Sequence, residues 1–347
     1  MKTTFLFLSA FIMAGSSFAQ SPLAQAKAAG TSTWGYINTK GEYVIPAQFA
    51  DCDAFSADGL APIFDKKAKT SYFIRPNGEK LNTEVEKFRL KEIFGFGTQG
   101  FEYGMCPVQV DKSWGYMSTD GKMIVPATYE KVQEFNGENG VAFKGNKFYI
   151  IDKKGSASAV DVAGVQDLRH FSDGLAPLRV GDNWGFLAAD GSVAIAPSFK
   201  SVGYFSDGLA WAKTTSGQTG FIDKNGNWVI EAKYDAAKDF SDGFARVKTG
   251  SAWTFVDKTG KQLDTPTADS FGDFSDGMAY CKSGDKVGFI DKTGKLIISQ
   301  EFVAVRGFKN GYAAAKQGEK WGFIDKTGKW AIEPKFDAVK DFERTTK

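Results

Sequence analysis

Apolar residues along this chain fall into short runs, separated by stretches rich in glycine, aspartate, lysine and threonine. Leu175-Ala176-Pro177-Leu178, Trp184-Gly185-Phe186-Leu187 and Trp330-Ala331-Ile332 are typical, and turn formers lie between such runs. That pattern predicts strands a few residues long joined by tight turns. One stretch, Thr83–Ile93, is the best candidate for a short helix.

The runs repeat. Trp321-Gly322-Phe323-Ile324-Asp325-Lys326-Thr327-Gly328-Lys329-Trp330 has close copies starting at Trp34, Trp114 and Trp184. Weaker copies start at Ser71, Phe148, Thr219, Trp253 and Val287, so nine units begin near 34, 71, 114, 148, 184, 219, 253, 287 and 321. The glycine seven residues after each start is present in all nine units, whereas tryptophan survives in five. A retained glycine beside a variable ring points to a backbone requirement: a hairpin whose turn passes through the left-handed region. Aspartate at 223, 257, 291 and 325 is expected to open that turn by accepting backbone N–H groups.

A second signature, Phe-Ser-Asp-Gly, stands at Phe171, Phe205, Phe240 and Phe274. It recurs at Phe55 with an inserted alanine, loosely at Phe308, and in degenerate form at Phe101 and Phe135. Each unit then holds three short strands with short connections, which an antiparallel meander satisfies most economically. The return segment, such as Pro334–Phe342, is expected as an irregular loop or a single helical turn.

Together, WGFIDKTGK and FSDGLA resemble the bacterial WG-repeat family, over about Thr33 to Phe342. The resemblance implies an architecture and no shared reaction. Tyr72, Tyr149 and Thr254 depart from it by replacing the glycine beside the tryptophan position. If that glycine admits a neighbouring backbone, those three units pack differently.

The fold class expected is all-β: tandem three-stranded antiparallel meanders in an open or superhelical array, with a closed β-propeller as the alternative. Nine units exceed the usual blade number, and neither chain end shows a terminal strand able to complete a shared blade, which favours the open array.

Composition changes this picture little. The chain has 43 Lys and Arg against 41 Asp and Glu, so no basic stripe for nucleic acid is indicated. Residues 1–19 differ from the rest: Lys2, an apolar run from Phe5 to Ala14, and Ser17-Phe18-Ala19 make a secretory leader with cleavage expected before Gln20. Residues 20–33 are expected as a linker, and no membrane span is expected after leader removal. Cys52, Cys106 and Cys281 are odd in number and are expected as buried thiols, a Cys52–Cys106 bridge being possible in principle.

Catalytic chemistry finds little support. His170 is the sole histidine and sits in a variable slot before Phe171. Zinc, P-loop and dinucleotide signatures are absent from the sequence, and no cofactor is expected. Tyr43, Trp228 and Trp330 share one offset and are weak candidates for ligand stacking, with packing between units as the competing role. The irregular stretch Lys66–Gly104 is a candidate functional insertion. The expectation is an exported noncatalytic scaffold that binds a protein or glycan at the cell envelope or outside. A carboxylate-based hydrolase of an extracellular polymer and a purely structural envelope protein are the alternatives.

Overall fold

A computed structural model describes residues 20–93 and 97–345. The leader expected over residues 1–19 lies outside the described residues. All described secondary structure is β, in small antiparallel sheets. No helix among the described residues is long and apolar enough to cross a membrane.

The fifth unit shows the pattern. Strands Val165–Leu168, Leu175–Val180, Asn183–Ala188 and Val193–Phe199 pair in that order. The segment expected as an irregular return therefore supplies a fourth, short strand, the first of the next sheet. Ser201–Val202 and Ala236–Ala237 do the same in their units.

Both turn signatures behave as their residues require. All nine turn glycines have positive φ, between 76° and 86°. Asp325 Oδ1 accepts the N–H groups of Thr327 and Lys329, at 2.8 and 3.1 Å, which fixes the turn that Gly328 closes. In the second signature Asp173 and Gly174 both have positive φ, 50° and 86°, the demand of a two-residue type I′ turn.

The glycine beside tryptophan serves another purpose. A Cβ on Gly35 would stand 2.6 Å from the carbonyl oxygen of Ile45, because the outer strand bulges inward there. The units lacking that glycine have no such bulged strand. Beyond Tyr72 and Thr254 the outer strand shrinks to single bridges, Ile74 to Lys80 and Val256 to Gln262. Beyond Tyr149 it is only Ala157–Ala159, without a register shift.

The helix expected over Thr83–Ile93 does not form. Strands Arg89–Leu90 and Glu92–Ile93 lie there, preceded by bends. Glu84 N–H donates to the Gly121 carbonyl and its carboxylate accepts from Met123 N–H. The backbone groups a helix would use internally thus go to the next unit.

The expected linker is also a strand. Gln20–Ala28 pairs on one edge with Trp34–Ile37 and on the other with the C-terminal strand Trp330–Val339. Leu23 also faces Glu343, as Leu175 faces Ser172 in a regular turn. The first sheet is thus completed by both chain ends: Ala338–Val339 supplies its short strand and Gln20–Ala28 its second. Of the two arrangements left by the sequence, this pairing is that of the closed ring, with nine sheets following one another and the last joined to the first.

The core is a series of seams. In every unit but the fourth, where Ile150 stands, a ring lies two residues after the unit start and packs on a turn phenylalanine: Phe186 on Phe205, Phe221 on Phe240 and Phe289 on Phe308, each at 4.7 Å between centroids. Phe323 on Phe342, at 4.5 Å, repeats the contact across the closing seam.

Candidate functional site

The second-signature turns fall into two groups around the ring. In the fifth to eighth sheets each reads Ser-Asp-Gly and is latched to its neighbour. Ser172 Oγ donates to the Phe205 carbonyl at 2.7 Å, and Ser206, Ser241 and Ser275 do the same one sheet further on. Asp173 accepts the Gly208 N–H at 2.9 Å, a relation repeated from Asp207 to Gly243, Asp242 to Gly277 and Asp276 to Gly311. Asp242 and Asp276 also pair with Lys292 and Lys326. These aspartates are committed to holding turns together.

The remaining five turns depart from the pattern and are contiguous: Lys309-Asn310 in the ninth sheet, Glu343-Arg344 in the first, Ser56-Ala57-Asp58 in the second, Glu102-Tyr103 in the third and Asn136-Gly137 in the fourth. Four of them line one cavity of about 470 Å³, walled by Phe55, Ser56, Phe101, Glu102, Lys309, Asn310, Glu343 and Arg344 among others. Sheets nine, one, two and three therefore meet over a common space, and the chain ends form part of its wall.

Within it, Lys309 Nζ lies 2.5 Å from Glu343. Burial holds the Glu343 carboxyl above its ordinary value despite that partner. Glu102 remains exposed on one side, yet partial desolvation raises its carboxyl and the negative charges of Asp58 and Glu343 add to it. Tyr103, in the slot that aspartate occupies elsewhere, is 49% exposed and has φ of 52°. A bulky side chain in the left-handed region costs on the order of 1–3 kcal/mol.

Beside the cavity, His170 Nδ1 lies 2.8 Å from Glu134 and the imidazole stacks on Tyr204, with centroids 4.0 Å apart. Gln99 donates to the other Glu134 oxygen at 3.0 Å. Burial alone would raise the Glu134 carboxyl; His170 and Gln99 overcome it and bring it down to about 2. The lone histidine is thus held by its contact with Glu134 and by a ring stack.

The three rings singled out in the sequence lie in seams, apart from the cavity. Tyr43 packs edge-on against Phe336, Trp228 against Phe199 and Trp330 against Phe302, at 6.3, 5.7 and 5.5 Å. All three cysteines are free and buried, and burial pushes their thiols up, Cys52 to about 12. Among the described residues no group of three or more His, Cys, Asp or Glu could hold a metal ion. Of the cavity residues, the sequence singled out Phe55 and Phe101 as turn positions and, within the candidate insertion Lys66–Gly104, the segment Gly100–Glu102; the first- and ninth-sheet residues were not singled out. A signal was present in the turns that depart from Ser-Asp-Gly, all on one arc of the ring.

Comparison with known proteins agrees on architecture. No curated protein matches the chain by sequence. Among solved structures, dipeptidyl peptidase 4 of Porphyromonas gingivalis is similar with a TM-score of 0.51 and 10% identity, over 81% of this chain and 58% of that one. The computationally designed Ika8 protein gives 0.44 and 12%, over 90% and 96%. The dihydro-heme d1 dehydrogenase NirN gives 0.44 and 14%, over 94% and 75%. Such identities speak to fold alone. The model of the WG containing repeat matches residues 34–65, 114–148, 184–215, 220–251, 288–321 and 321–344, more than half of the chain. The chain belongs to the family of WG containing repeat proteins.

Proposed function

We propose that this protein is an exported, noncatalytic ring scaffold that binds a protein or glycan at the cell envelope or outside, at the cavity between its ninth, first, second and third sheets. One observation carries the reading. Turn sequence is uniform where turns only latch to each other, and it diverges along the arc that walls the cavity. A repeat that needs only to close a ring has no reason to place Glu102, Lys309, Glu343 and Arg344 there. The volume also lies within the usual range for ligand sites. Export rests on the leader pattern of residues 1–19.

The noncatalytic part rests on the surroundings of the reactive groups. His170 is engaged by Glu134 and Tyr204, and the thiols are buried away from the thiolate form. Purified protein spanning residues 20–347 on a glycan array, with capture of envelope proteins in parallel, tests the reading. Binding lost in a Glu102→Ser, Glu343→Ser double variant that keeps its fold is the expected result. Binding that survives those changes would move the site elsewhere.

One observation favours the hydrolase as a second reading: Glu102 and Glu343 share the cavity and both carboxyls are raised, as a glycosidase acid requires. Release of sugars from a polymer, abolished by Glu102→Gln, would establish it over the scaffold.

A further inference from the structure

We propose that a slot between the fourth and fifth sheets binds a guanidinium group, the arginine side chain of a protein or peptide partner. This site is separate from the larger cavity and does not depend on it. The innermost strands supply the starting point. Arg169 N–H donates to the Pro177 carbonyl at 3.0 Å, within its own sheet. The trans peptide that Arg169 shares with Leu168 therefore points the Leu168 carbonyl away from that sheet. Val202, Phe271 and Cys52 stand in the same way, since the N–H after each donates to Trp211, Tyr280 and Pro62. There the outward carbonyl is met by a side chain of the preceding sheet. Arg169 Nη1 donates to Val202 at 3.3 Å, Arg246 Nη1 to Phe271 at 2.6 Å and Gln25 Nε2 to Cys52 at 3.1 Å. Both guanidinium groups also lie over the tryptophan that starts their unit, Trp184 at 3.9 Å and Trp253 at 5.8 Å. A ring and an outward carbonyl thus make a guanidinium socket, and the chain fills it twice from within.

The fourth sheet repeats the socket without an arginine to fill it. Gln133 stands where Arg169 does, two residues before the turn phenylalanine, and accepts from Lys91 Nζ at 3.3 Å. Val141 stands where Arg246 does, opposite the residue two after the unit start. Among the described residues no donor reaches the Leu168 carbonyl. A cavity of about 120 Å³ lies there, walled by Leu168, Phe143 and Phe148, the last being the ring that starts this unit. Its polar side chains are Lys131, Gln133, Gln166 and Asp167. Asp167 offers a guest the negative charge that Asp273 gives Arg246. Lys131 is no bar to a second cation. Its ammonium lies over Phe143 at 5.9 Å, and Arg179 likewise lies over the same Trp184 as Arg169. A planar guanidinium presents a face to the ring and several N–H groups to carbonyl and carboxylate together, which a lysine ammonium does not.

The test is an NMR titration of methyl-labelled protein spanning residues 20–347 with N-acetyl-arginine amide, free arginine and N-acetyl-lysine amide. Saturable shifts of the Val132, Val141 and Leu168 methyl signals are expected with the capped arginine and absent with the lysine. Shifts with free arginine alone would assign the slot to the amino acid and overturn the partner side chain. Gln133→Arg, which copies Arg169, should fill the socket from within, abolish those shifts and raise the midpoint of thermal unfolding. Phe148→Leu and Asp167→Asn should each weaken binding about threefold or more while the circular dichroism spectrum is unchanged. No shifts in folded protein, equal shifts with lysine, or shifts that survive Gln133→Arg would each overturn the proposal. Parent-like binding by both Phe148→Leu and Asp167→Asn would overturn it too.

Discussion

Gly41 of the first unit sits against Ile332 of the last, so that a Cβ on the glycine would stand 2.7 Å from Ile332 Cγ2. Gly226 bears the same relation to Ile195, Gly260 to Ile230 and Gly328 to Ile298, each between neighbours in the chain. The first and last units, distant in sequence, are thus ordinary neighbours in space. Lys335 Nζ donates to the Gly41 carbonyl at 3.2 Å, and Asp337 accepts the Gly30 N–H at 2.7 Å, across the same seam.

Closure of the ring by noncovalent contacts makes Phe342 a stabilising residue close to the chain end. It is 1% exposed and packs on Phe323 and Tyr312. Phe342→Ala should lower unfolding stability by about 3 kcal/mol in urea, the usual loss for a buried ring. A terminal residue outside a closed ring would lose far less, so a change below about 1 kcal/mol would contradict closure.

Two turn glycines separate backbone strain from collision. Gly294 has φ of 83°, and a Cβ there would collide with the Asp264 carbonyl oxygen. Gly174 has φ of 86° with nothing within 4 Å of the added atom. Gly174→Ala should cost about 1 kcal/mol from φ alone, and Gly294→Val about 3 kcal/mol or more, measured by urea unfolding. Equal stability of Gly294→Val and the parent would refute the turn.

How far the fold was legible follows from where its information sits. The turn glycine is written nine times, and each copy reports one backbone conformation, so the hairpins could be read directly. Substitution of the second glycine by Tyr72, Tyr149 and Thr254 correctly marked the units that pack differently. Ring closure was obscured because the first sheet is divided between the chain ends, and neither of the strands that complete it, Gln20–Ala28 and Ala338–Val339, carries Trp-Gly. The trace was Leu23-Ala24-Gln25-Ala26-Lys27, which matches Leu209-Ala210-Trp211-Ala212-Lys213 at all but one position. The cavity was illegible for a related reason: Glu102 and Glu343 are far apart in the chain and meet only once the ring closes.

The glycine beside tryptophan should be intolerant of even one carbon. At Gly220 φ is not positive, yet a Cβ would collide with the Ile230 carbonyl of the bulged outer strand. Gly220→Ala should therefore cost about 2 kcal/mol by overpacking, whereas Thr254→Ala, where that strand is missing, should change stability by less than about 1 kcal/mol. Thermal or urea unfolding of the pair checks this. Similar losses at both sites would mean that strand approach is not what selects glycine.

The Glu134–His170 pair sets an acid limit on the arc beside the cavity. The Glu134 carboxyl has an ordinary value of 4.5 and is held in the folded protein at about 2. A carboxyl depressed on folding stabilises the fold when it is ionised in both states, above its ordinary value. That contribution declines as pH falls from about 4.5 towards 2 and is gone below it. Glu134→Gln should therefore lower stability by about 1 to 2 kcal/mol at pH 6, with the difference from the parent shrinking steadily as pH falls from 4.5 to 2.5. Urea unfolding across that range provides the measurement. A difference that stays constant with pH would show that Glu134 acts through packing, with its charge playing no part.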